Sequence, residues 1–146
     1  MFREIYPLKT IRRYIVSDLS DWNIIYAYTR AQAIADGVLI DVTDTAEAMG
    51  FKVPVAVTAN LFDQFIQASE ALIAEGQTTE ARLRDVLMLL LFKIKLRPNT
   101  DRIYYDVSFA MAPAERNISR TVKVLAVIGP GDSGEPVLTI MLPEDD

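Results

Sequence analysis

A chain of 146 residues, 51% apolar and 24% charged, is long and hydrophobic enough to bury a core and has globular composition. It contains no histidine and no cysteine, which excludes imidazole catalysis, thiolate attack, disulfides and zinc sites built on those ligands. A net charge of −5 and an isoelectric point near 4.8 argue against general nucleic-acid binding, whose affinity comes from neutralising phosphates.

The first 27 residues have no clean period. Ile11, Tyr14, Ile15 and Val16 suit a short strand, Ser17, Asp18, Ser20 and Asp21 a loop, and Trp22 with Ile24, Ile25 and Tyr26 an irregular packed arm. This end alternates charge with apolar residues, and the longest apolar run, Val86 to Phe92, is far shorter than a bilayer span. No membrane contact is therefore expected, and the chain reads as cytoplasmic. One domain over residues 1–146 is the expected organisation.

Thr29 and Gln32 have the spacing of a capping box and Gly37 suits a left-handed C-terminal residue, so Thr29 to Asp36 should be a two-turn helix. Val38 to Val42 reads as a short buried strand interrupted by Asp41. Thr43 can then cap a second short helix running to Met49 and ended by Gly50. In the segment Phe51 to Val57, Pro54 predicts an edge strand or an extended connection.

Thr58 is placed to cap an amphipathic helix from Ala59 to Glu75, with Leu61, Phe62, Phe65, Ile66, Leu72 and Ile73 on its apolar side and Gly76 as its stop. Thr78 or Thr79 opens the last helix. In it Leu83, Val86, Leu87, Leu90 and Ile94 make one face, while Met88, Leu89, Leu91 and Phe92 extend apolarity nearly all round; such a helix is either central to the core or committed to a partner. Lys93, Lys95 and Arg97 complement its dipole before Pro98 ends it.

The remainder is β. Ile103 to Phe109 alternates, and Val122 to Ile128 and Val137 to Leu142 are joined by the turn GPGDSGEP. Met111 to Ser119 is a polar connection. The expected fold is α+β: an antiparallel sheet of three or four strands packed against two longer helices, with a short helix-strand-helix unit near the N-terminus.

Two constellations could carry function. Tyr26, Tyr28, Thr29 and Arg30 combine a helix start, hydroxyls and a guanidinium, which together could receive an anion such as a phosphate. Packing tyrosines and a paired arginine explain the same residues without a ligand. The second is the acidic set Asp36, Asp41, Asp44 and Glu47, with Glu70 and Glu75 further along. Carboxylates at a strand end beside a helix start can hold magnesium, but capping and strand termination explain them as well. Charge segregates along the chain: between residues 31 and 80 the only base is Lys52. An acid-rich surface of this kind either keeps the protein soluble or imitates DNA toward a DNA-binding partner. The GPGDSGEP turn matches neither the dinucleotide fingerprint nor the phosphate loop and reads as turn geometry.

The stretches Tyr26 to Thr43, YAYTRAQAIADGVLIDVT, and Val127 to Asp146, VIGPGDSGEPVLTIMLPEDD, resemble the signature ends of a family of small uncharacterised proteins of plasmids, phages and other mobile elements. The resemblance implies a non-enzymatic interaction protein that needs no cofactor, binds a host protein and blunts a nucleic-acid-binding defence system of the anti-CRISPR or anti-restriction type. The alternative is a small-ligand or nucleotide-binding protein, or an enzyme, using Arg30, the tyrosines and the carboxylates. A homo-oligomeric structural component is the third reading.

Overall fold

The computed structural model describes residues 28–96, 99–111 and 118–146. The expected arm around Trp22, Tyr26 and most of the Met111 to Ser119 connection lie outside them. The elements in chain order are α1 (Arg30–Ala35), β1 (Leu39–Asp41), α2 (Thr43–Ala48), β2 (Val55–Thr58) and α3 (Ala59–Leu61). A π-helical turn (Phe62–Ile66) continues α3, followed by α4 (Glu70–Ala74), α5 (Thr79–Leu96), β3 (Arg102–Ala110), β4 (Ser119–Pro130), β5 (Pro136–Met141) and a closing 3-10 turn (Pro143–Asp145).

The fold is α+β, as expected, but among the described residues the sheet has five strands in the order β1-β2-β5-β4-β3. The β3–β4–β5 meander is antiparallel throughout, with Tyr105 opposite Val124 and Ala126 opposite Ile140. At the other end β2 is antiparallel to β1 and parallel to β5, so the sheet is mixed. Pro54 does not confine β2 to an edge. The strand begins one residue later, the Pro54 carbonyl accepts from Leu138 N at 2.9 Å, and all four β2 residues are buried between neighbouring strands. A proline just outside the ladder removes no ladder donor.

Local signals set the first unit. Thr29 Oγ1 accepts from Gln32 N at 3.0 Å while Gln32 Oε1 accepts from Thr29 N at 2.8 Å, closing the capping box. At the far end Gly37, at φ +78°, lets Gly37 N and Val38 N return to the carbonyls of Ile34 and Ala33. Gly50 ends α2 with the same pair of bonds. Thr43 departs from its predicted capping role because it lies inside α2. Its hydroxyl donates to Asp41 Oδ1 at 2.5 Å and accepts from Val55 N at 3.1 Å, extending the β1–β2 edge by a side-chain rung.

The expected continuous helix from Ala59 to Glu75 is broken. After the π turn, whose wide bond runs from Gln67 N to Phe62 O at 2.8 Å, Gln67 is extended and Ser69 caps a separate α4. The cause is distant in sequence. Arg82 of α5, 3% exposed, sends Nε and Nη2 to the Phe65 carbonyl at 2.9 and 2.6 Å and Nη1 to the Ala110 carbonyl at 2.6 Å. Thr79 Oγ1 receives Ala68 N at 3.0 Å. The π turn thus leaves a carbonyl available to satisfy a buried cation, which could not remain there without acceptors. Among the described residues one long helix, α5, therefore covers the sheet where two were expected.

That helix and the α3–π segment bury one sheet face. Val86, Leu87 and Leu90 of α5 and Leu61 and Ile66 meet Val57, Ile140, Val124, Tyr105 and Phe109 in the main core. Ala33 of α1 lies over a smaller cluster on the opposite face, with Leu39, Ala56, Leu125, Val127 and Met141.

Candidate functional site

Of the first constellation, Arg30 is held by the other end of the chain. Asp132, in the β4–β5 turn, accepts from Arg30 N at 2.7 Å and from Ala31 N at 3.0 Å, so the first-turn amides of α1 already carry a carboxylate. The Arg30 side chain, 9% exposed, passes over the sheet and donates to Thr139 Oγ1 at 2.7 Å and to the Leu138 carbonyl at 2.9 Å. Tyr28 OH donates to Asp36 Oδ2 at 2.8 Å. Sequence reasoning missed Asp132 as the partner of α1. The GPGDSGEP turn does supply turn geometry, with Gly134 at φ +86°, but it also delivers this through-space cap.

The acidic residues divide. Asp41 ends β1 and Asp44 lies in the first turn of α2, and both face an open groove of about 480 Å³. Its opposite wall is the start of α5, where Thr79 and Glu80 stand; Thr43 and Thr45 add hydroxyls, and Val42, Phe62 and Leu83 make an apolar floor. Glu47 lies one turn beyond Asp44 on α2. Asp36 sits at the other end of β1, Glu70 opens α4 and Glu75 caps its end, all three away from the lining. Glu80 was not singled out from the sequence because its neighbours there are α5 residues; only the packing of α2 against α5 brings it to the groove that Asp41 lines. Among the described residues no group of three or more acidic side chains is arranged to hold a metal ion.

The C-terminal acids have structural partners. Asp145 accepts from Thr58 Oγ1 and Asn60 Nδ2, both at 2.8 Å, and from Leu142 N at 3.1 Å, tying the 3-10 turn to the start of α3. Asp146 pairs with Arg102, and this bond holds the guanidinium more firmly protonated than usual. A smaller concavity of about 250 Å³ lies between the π turn and β4, lined by Gln64, Arg120, Lys123 and Glu144. Arg120 lies over the Phe65 ring at 5.3 Å.

What this arrangement offers chemically is recognition of positive charge. The groove presents carboxylates from β1, α2 and α5 above an apolar floor, which suits a lysine or arginine whose stem packs on Phe62 and Leu83. No helix among the described residues is long and apolar enough to cross a membrane. No curated protein and no solved structure matches the chain. A family profile does match, over residues 18–146, and by it the chain belongs to a family of unknown function, DUF6573.

Proposed function

We propose that this is a binding protein, not a catalyst, and that its groove between β1–α2 and the start of α5 docks a basic surface of a partner protein. The observation that carries the reading is that Asp41 and Asp44 line one open groove with Glu80, a residue distant in sequence that also lies 4.0 Å from Arg84 on the next turn of α5. Exposed charges of this kind contribute little each, about 0.2–1 kcal/mol per ion pair, but together they steer encounter and select partners by sign.

The partner we infer is a host protein that itself binds nucleic acid, since its surface for phosphates would also accept these carboxylates. The resemblance of both chain ends to proteins of mobile elements supports a counter-defence role. Anion or nucleotide binding at Arg30 is the weaker reading, because a phosphate there would have to displace Asp132 from two amides.

Affinity capture from host extract with wild-type protein and with the triple variant Asp41→Lys, Asp44→Lys, Glu80→Lys tests the reading. A partner retained by the wild type, released by duplex DNA and lost by the variant is the expected result. Equal retention by a folded triple variant contradicts it.

A further inference from the structure

The buried cation of α5 is served by carbonyls and by one sulfur. Arg82 sends Nε and Nη2 to the Phe65 carbonyl and Nη1 to the Ala110 carbonyl, and its remaining acceptor is the thioether of Met111, 4.0 Å from Nη2. A thioether is a weak acceptor, and at this distance it satisfies the N–H poorly. A guanidinium that is 3% exposed therefore keeps one donor in want of a better partner.

Met111 is placed to become that partner. Its backbone N donates to the Ile118 carbonyl at 2.9 Å, one rung beyond the Ala110–Ser119 pair, which fixes the residue at the end of the β3–β4 ladder. With its sulfur toward Arg82, the residue is still 37% exposed, whereas Met141 is fully buried. The chain has no cysteine, so methionine sulfur is what a peroxide meets first.

We infer that Met111 is an oxidation site whose sulfoxide is captured by Arg82. Hydrogen peroxide supplies the oxygen. The sulfur attacks one peroxide oxygen, an S–O bond forms as the O–O bond breaks, and the displaced hydroxide takes the proton left on the transferred oxygen and departs as water. The sulfur has then given an electron pair to the peroxide. The product puts a strong acceptor into the gap beside Nη2, at an ordinary N–H···O length of about 2.9 Å. Oxidation of methionine usually disrupts packing by making an apolar side chain polar. Here the new oxygen meets a buried, charged donor, so the sign reverses and the sulfoxide tightens the bond network that holds the π turn. The inference does not depend on the acidic groove.

The test uses the full chain carrying Met49→Leu and Met88→Leu, which removes the other methionines with exposed surface among the described residues. After treatment with hydrogen peroxide, peptide mass mapping should find the sulfoxide at Met111 and Met141 unmodified. The oxidised form should melt about 2–4 °C above the reduced one, and exchange at Gln67 and Ala68 should slow roughly fivefold. Met111→Gln, which brings an amide oxygen without peroxide, should melt above Met111→Leu by a similar margin. An oxidised form that melts no higher than the reduced one overturns the inference. So does Met111→Gln no more stable than Met111→Leu, or a Met111 that stays a thioether while Met141 is oxidised.

Discussion

Arg30 and Asp132 fasten residues a hundred positions apart: the backbone of one helix start takes a carboxylate from the β4–β5 turn, and the side chain at that start returns across β5. Asp132→Ala should lower stability by about 1 kcal/mol, the usual loss for a helix cap. Arg30→Ala strands Thr139 Oγ1 and the Leu138 carbonyl without their donors and should lower it by about 2–4 kcal/mol. Urea unfolding of both variants and the double variant measures their coupling. Tyr105 is a different case. Its phenol is buried and donates to the Val86 carbonyl at 3.1 Å, and burial pushes its pKa far above the ordinary value. The unfolded chain releases that proton near pH 10 and the folded chain holds it, so stability is unaffected below pH ~10 and falls above it. Tyr105→Phe should be less stable at pH 8 by about 1 kcal/mol yet decline less steeply between pH 9.5 and 11.

At the level of elements, the bond between Arg82 and the π turn sets where the α3 segment ends. Desolvation by burial lowers the pKa of this guanidinium, which nevertheless finds carbonyl acceptors and lies over the Phe109 ring at 5.3 Å. Arg82→Lys keeps a charge but cannot reproduce the planar fork, and should cost about 2–3 kcal/mol. Hydrogen exchange at Gln67 and Ala68 should accelerate with it; unchanged exchange would mean that the turn stands without the arginine. The same element shows what the sequence could and could not display. α1, α5 and the β3–β4–β5 meander were legible because caps, apolar period and strand alternation are local. The break at Gln67 was not, since its causes are Arg82 and Thr79. Nor was the interior place of β2, because Pro54 speaks of an edge while its parallel pairing with β5 is a contact between distant segments. The candidate site behaved alike: Asp41 and Asp44 were visible as neighbours in sequence, whereas Glu80 and Asp132 took their places only through packing.

Across the whole molecule, charge and apolar surface are distributed unevenly. Acids gather where β1 and α2 meet the start of α5, and the outer stripe of α5 is greasy. Docking driven by exposed carboxylates should weaken as salt rises, since the screening length falls from about 10 Å at 0.1 M to about 3 Å at 1 M. Titrating salt in a partner-binding measurement reads this dependence directly.

The most direct test of docking at the acidic groove is hydrogen exchange of the protein with and without its captured partner. Protection on binding should centre on residues 41–47 and the first turn of α5, and vanish in the Asp41→Lys, Asp44→Lys, Glu80→Lys variant. Protection confined to the β4–β5 turn or to the outer stripe of α5, with those residues unchanged, would contradict it.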